Sequence, residues 1–179
     1  MTTTLHINLK AVQDSIDKIK TRLTNNCKIC AIIKANAYGL NSERIADEKY
    51  IKNIDYFGVV TLEEAKSIRK KNNSTPILLL TEVSLTENEY ALFKHLSIIP
   101  TIYSLSYAEK MERLCNKEQI ELPFHYKINT GMNRFGSDYE IAITLLNKIE
   151  KECPHLKCEG LFTHLADSEN SNSQFTKEQ

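Results

Sequence analysis

The sequence predicts an α/β fold built on a parallel sheet, and three observations predict it. Short apolar runs of strand length alternate six times with segments whose apolar residues recur every three or four positions. A Thr or Ser followed three residues later by Glu stands at the entrance of several of those segments, the pattern by which a helix start satisfies its own free N–H groups. Polar and cationic clusters follow three of the strand runs, on the edge where parallel sheets collect their ligands. Neither Gly-x-Gly-x-x-Gly nor Gly-x-x-x-x-Gly-Lys-Ser/Thr occurs, so both nucleotide fingerprints are missing. A doubly wound sheet and a (β/α)8 barrel both fit. A barrel needs eight units over ~250 residues; about six are present in these 179 residues.

Each element has its own signal. From Leu9, the residues Val12, Ile16, Ile19 and Leu23 form one helical stripe, which Asn25-Asn26 stops. Residues 30–34 read as the first strand. Asn41-Ser42 offers an N-cap for a helix through Ile45, Ala46 and Tyr50-Ile51. Residues 56–60 form the second strand, and Thr61 with Glu64 opens a helix through Ala65 and Ile68. Pro76 precedes a strand at 77–80, and Thr86 with Glu89 opens a helix through Tyr90, Leu92 and Phe93. Residues 98–103 are a strand interrupted by Pro100, which has no N–H to give a ladder. Ser106 with Glu109 is a third box. Pro123 leads into a strand at 124–128. Ser137 with Glu140 then opens a helix through Ile141, Leu145, Leu146 and Ile149, which Pro154 ends. Residues 156–163 are the sixth strand. Beyond Ala166 the chain turns polar, and no further element is expected before Gln179.

Composition excludes several classes. Lys and Arg number 23 against 23 Asp and Glu, so no global field points to nucleic acid or an anionic membrane. The opening MTTTLHINLK lacks the layout of a signal peptide, and no apolar run approaches the ~20 residues of a membrane span. A soluble, cytoplasmic protein is expected. Five cysteines, an odd count, argue against a disulfide framework. Cys27-x-x-Cys30 and Cys153-x4-Cys158, with His155 between the latter pair, have the look of zinc ligands. Both pairs sit just before or on apolar runs, so no metal is expected.

The chemistry concentrates after the strands. The stretch from Ala31 to Asn41 is an apolar run ending on Lys34, then a small turn with Tyr38 and Gly39. A lysine amine condenses with aldehydes, and burial raises its reactivity; the plainer alternative is a lysine that snorkels to the surface. Residues 127–136, Lys-Ile-Asn-Thr-Gly-Met-Asn-Arg-Phe-Gly, follow the fifth strand, and Thr163-His164 follow the sixth. Taken singly, Lys127 reads as a solvated rim charge, Arg134 as a partner for a surface carboxylate and His164 as a core histidine. Their shared position at strand ends favours a site.

These residues match a known family. Ala31-Ile-Ile-Lys34-Ala-Asn-Ala-Tyr38-Gly39 resembles the pyridoxal-phosphate attachment motif of alanine racemases. Residues 127–136 are similar to their Lys-x-Asp-Thr-Gly-Met-x-Arg-x-Gly motif, with Asn129 in place of the aspartate. Phe57-Gly-Val-Val-Thr-Leu-Glu-Glu-Ala65, Gly160-Leu-Phe-Thr-His164-Leu-Ala166 and the tail from Gln174 to Gln179 also look like that family, in its order. Leu40-Asn41 stands where His-Gly is usual.

The resemblance implies an incomplete (β/α)8 TIM barrel of about six units. Residues 1–179 would be the N-terminal barrel domain in part, without the C-terminal β-domain. It implies interconversion of L- and D-alanine, supplying D-alanine as a cell-wall precursor, with pyridoxal 5'-phosphate as cofactor. Lys34 would hold the cofactor and act as the base on one face of Cα. Tyr38 would bond its phosphate, and Arg134 would face its phenolic oxygen and the substrate carboxylate. Lys127 matches a position that is carbamylated in many members. His164 would bond an arginine facing the pyridine nitrogen. The opposite base comes from the partner subunit's β-domain, so a homodimer is implied for the full-length protein and no activity for these residues alone. Two alternatives stand: a non-catalytic module that holds the cofactor, or a racemase or decarboxylase of the same superfamily for another amino acid.

Overall fold

A computed structural model of the chain describes residues 3–24, 26–84 and 86–179. Asn25, expected to help stop the first helix, lies outside the described residues. The chain divides into two compact units: residues up to Leu79 with His95–Ile98, and Leu80–Lys94 with Ile99–Gln179.

In the first unit, helix α1 (Leu9–Lys20) starts on Asn8, whose side chain accepts the Ala11 N–H at 3.0 Å. It stops at Thr21, before the asparagines, and Ile19 of its stripe stays 51% exposed. Strand β1 (Cys30–Ile32) is followed by the turn α2 (Lys34–Tyr38) and the short helix α3 (Ser42–Ile45). The Asn41 cap is as expected, but the helix ends well before Tyr50, because the Asp47 carboxylate accepts the Lys49 N–H at 3.0 Å and turns the chain. Strands β2 (Tyr56–Val59), β3 (Ile77–Leu79) and β4 (Ile98–Ile99) complete a sheet of order β1-β2-β3-β4. The first two pairings are parallel, with Ala31 opposite Phe57 and Gly58 opposite Leu78. Helix α4 (Leu62–Arg69) carries the expected capping box and buries Leu62, Ala65 and Ile68. Phe57, Val59, Ile77 and Leu79 are buried too, at roughly 1.5–3 kcal/mol for each large side chain.

In the second unit, helix α5 (Glu87–His95) opens where Glu89 reaches back to the Thr86 N–H at 2.9 Å. Strand β5 (Thr101–Ile102) pairs parallel with β6 (Leu122–Asn129), and β6 pairs parallel with both β7 (Ser137–Asp138) and β8 (Leu156–Phe162). The expected break at Pro100 separates β4 from β5. Ile102, Met111, Phe124, Tyr126 and Ile149 are fully buried.

Two helix starts differ from expectation, each for a tertiary reason. Helix α6 (Leu105–Glu118) is capped by Ser104, two residues ahead of Ser106. The Glu82 carboxylate fixes that cap, accepting the Ser104 N–H at 2.7 Å and its hydroxyl at 2.9 Å. Helix α7 (Tyr139–Glu152) begins without a side-chain cap. Ser137 is taken up in β7, where its hydroxyl accepts from the buried Tyr126 hydroxyl at 2.7 Å. The polar tail also forms a helical turn that was not expected, α8 (Gln174–Glu178), capped by the Ser173 hydroxyl on the Thr176 N–H.

Candidate functional site

Lys34 does not end the strand as expected; it opens a turn of opposite hand. The Ile33 N–H donates to the Gly58 carbonyl at 3.0 Å, the last tie to β2, and then the backbone reverses its twist. Ala35, Asn36, Ala37 and Tyr38 have φ of 50°, 54°, 53° and 54°, and Gly39 follows at 89°. L-residues avoid this left-handed region at a cost of about 1–2 kcal/mol each, so the turn persists only under outside restraint. The Ala37 N–H bonds the Ile33 carbonyl at 2.9 Å. The Asn36 side-chain oxygen accepts from the Ser42 N–H at 2.9 Å and from its hydroxyl at 3.3 Å. A Glu64 oxygen accepts the Ala35 N–H at 2.7 Å. Lys34 itself is half-buried, and its ammonium has no hydrogen bond or ion pair among the described residues. The Tyr38 ring stands 65% exposed.

The second unit gathers Lys127, Arg134 and His164 around one small cavity, whose lining also includes Asn129, Met132 and Thr163. Lys127 lies on β6, only 6% exposed, and donates to the Leu80 carbonyl at 2.9 Å. Its ammonium lies 5.0 Å from the Phe162 ring centre and 5.5 Å from that of Phe135. Arg134 is exposed beside the Phe135 ring at 5.9 Å, with no hydrogen bond or ion pair among the described residues. His164 is exposed, directly after Thr163, whose hydroxyl donates to the Ile128 carbonyl at 2.8 Å.

Asn129 shapes the loop that carries Arg134. Its oxygen accepts the Gly131 N–H at 3.2 Å and the Asn133 N–H at 2.9 Å. Its amide nitrogen donates to Asn133 at 3.0 Å and to the Asp138 carboxylate at 3.2 Å. The oxygen does what a carboxylate would do there; the amide adds a donor to Asp138. Gly131 and Gly136 have φ of 132° and 118°, where a side chain is strained. A Cβ on Gly131 would stand 2.4 Å from the Phe175 ring of α8, so the tail braces this loop. Gln179 adds a bond to Thr130 at 3.1 Å.

Three plainer alternatives fail on this geometry. Lys127 is buried rather than a solvated rim charge, Arg134 pairs with no carboxylate among the described residues, and His164 is outside the core. All five cysteines are free thiols. Burial pushes Cys115 and Cys153 up to about 11, which leaves them protonated and inert. Among the described residues no group of three or more His, Cys, Asp or Glu side chains gathers, and no helix is long and apolar enough to cross a membrane. Glu64 escaped the sequence reading because its place in a capping box already accounted for it.

Comparisons with known proteins agree on a family. Residues 7–179 match the family described as alanine racemase, N-terminal domain. An alanine racemase 2 of Clostridium acetobutylicum is 34% identical over 97% of this chain and 43% of its own length. An alanine racemase structure from Clostridium difficile 630 aligns with a TM-score of 0.82 at 27% identity, over 93% of this chain and 43% of that one. A Bartonella henselae alanine racemase with covalently bound pyridoxal phosphate aligns at 0.80 and 26% identity, over 96% of this chain and 49% of that one. The fold class is thus a partial (β/α)8 barrel, and the chain spans under half the length of these relatives.

Proposed function

The chain belongs to the alanine racemase N-terminal domain family, and from that premise we propose that it forms part of a pyridoxal-phosphate-dependent enzyme interconverting L- and D-alanine. When bound, the cofactor supplies an electron sink that makes the Cα proton of an amino acid removable. The residues present suit it. It offers an aldehyde, a phosphate and a phenolic oxygen, and the chain offers an amine and a guanidinium with no hydrogen-bond or ion-pair partner among the described residues, and an exposed tyrosine.

Lys34 would hold the cofactor through its amine and, once released by the incoming substrate, take or return the proton on one face of Cα. Tyr38 would bond the phosphate. Arg134, a planar cation, suits the substrate carboxylate and the phenolic oxygen. His164 would orient a further arginine toward the pyridine nitrogen. Lys127 would be carbamylated, gaining the negative charge that orients Arg134; as the free ammonium it is held instead by the rings of Phe135 and Phe162. The enzyme would act in the cytoplasm as a homodimer, supplying D-alanine to cell-wall synthesis.

The observation that supports this most is Lys34, its ammonium without hydrogen bond or ion pair among the described residues, at a strand end in a turn held by Glu64 and Ser42. The test is chiral chromatography of alanine after incubation with the complete enzyme. Lys34→Ala is expected to reduce conversion to background, and conversion that survives the substitution refutes the assignment. Because the chain spans under half its relatives' length, a second reading has support: these residues alone hold the cofactor without turnover. The 179-residue chain is expected to show negligible conversion and weak cofactor binding.

A further inference from the structure

A capping box asks its glutamate for one oxygen. At Thr61 the exchange is complete: the Glu64 N–H donates to the Thr61 hydroxyl at 3.2 Å, and Glu64 Oε2 accepts the Thr61 N–H at 3.2 Å and the Val60 N–H at 2.9 Å. The other oxygen is surplus to the helix, yet it makes the shortest bond of the group, 2.7 Å to the Ala35 N–H. That N–H belongs to the peptide joining Lys34 to the left-handed turn. Its plane sets the direction in which the Lys34 side chain leaves the backbone.

We propose that Glu64 is a positioning residue for Lys34, its carboxylate clamping the peptide after the lysine to the end of β2 and so fixing where the amine is presented to an aldehyde. This rests on the reading of Lys34 as the cofactor lysine. The physical reason for a carboxylate is the count of donors. Three backbone N–H groups on two segments converge on one side chain, and only an acceptor-only group with two oxygens serves both segments at once. Glutamine caps a helix about as well as glutamate, but it has one acceptor, and its amide would face an N–H.

That difference separates the clamp from a capping role. Glu64→Gln is compared with Thr61→Ala in the full chain; the alanine weakens the cap and leaves the Ala35 bond in place. Amide hydrogen exchange without cofactor reads the clamp, and borohydride fixation of pyridoxal phosphate reads the amine. Glu64→Gln is expected to speed exchange at Ala35 at least tenfold and to slow fixation about tenfold, with the melting temperature nearly unchanged. Thr61→Ala is expected to lower the melting temperature and leave fixation within twofold. The proposal is overturned if Ala35 exchange and fixation in Glu64→Gln match the parent, or if both variants slow fixation in proportion to lost stability. Should Glu64→Gln fail to fold, Thr61→Ala still decides, since a twofold or smaller effect beside lost stability is the clamp's outcome and a larger one refutes it. Lys34→Ala separates the two claims: fixation that survives it defeats the cofactor reading, whereas fixation lost there but untouched in Glu64→Gln defeats only the clamp.

Discussion

Two loops, one in each unit, carry Lys34 and Arg134, and they are held in shape by different means. The turn after β1 takes four non-glycine residues in succession through left-handed space, and residues outside it, Glu64 and Ser42, hold it there. The loop after β6 has glycines at two of its three positive-φ positions, Gly131 and Gly136, with Asn133 (φ 54°) at the third, and its own Asn129 ties it together. The first runs four non-glycine residues through strained space; the second leaves only Asn133 there and is tied mainly from within, with the tail bracing Gly131 and Thr130.

Glycine substitutions are the sharpest way to break this comparison, because the two loops should answer with opposite sign. A Cβ on Gly136 would lie 2.6 Å from the Asn129 nitrogen and 2.8 Å from the Ile128 carbonyl carbon, which are backbone atoms with nowhere to move. Gly136→Ala is expected to cost about 3 kcal/mol in urea unfolding; a loss below ~1 kcal/mol would mean that the loop is not closed as described.

Asn129 gives the next largest effect. Aspartate there keeps the acceptor but removes the donor to Asp138, leaving two carboxylates where the amide and carboxylate stood 3.2 Å apart. Asn129→Asp is expected to cost about 1 kcal/mol at neutral pH. The two like charges repel, so the penalty is present while both are ionised and disappears once acid neutralises either one. Asp138→Asn in the same chain should restore stability at neutral pH. A pH-independent loss would assign the effect to packing.

The smallest effect runs the other way. Ala35 is exposed at φ 50°, so Ala35→Gly relieves left-handed strain against a larger loss of chain entropy. The expected net is stabilisation of about 0.5 kcal/mol. Destabilisation beyond ~1 kcal/mol would show that the turn is not strained.

The same contrast explains what could be read from the chain. Six βα units were legible because apolar runs and box residues such as Thr61 with Glu64 are local signals, and the structure keeps them. The starts of α6 and α7 were not, because Glu82 and Tyr126 claim Ser104 and Ser137 from a distance. The left-handed turn was illegible, since Ala-Asn-Ala-Tyr carries no glycine until its end and propensity argues against it. The α8 turn was hidden in a polar tail whose aromatic residue, Phe175, rests against Gly131. Lys34, Arg134 and His164 stood out in the sequence because they follow strand runs, and Lys127 because it closes one; what holds the loops around them was not legible.

One measurement reaches the central claim directly: pyridoxal phosphate is fixed on the full chain with borohydride, and the modified residue is located by peptide mapping. The account predicts a single modified site, Lys34. Modification centred on Lys127, or spread evenly over exposed lysines, would contradict it.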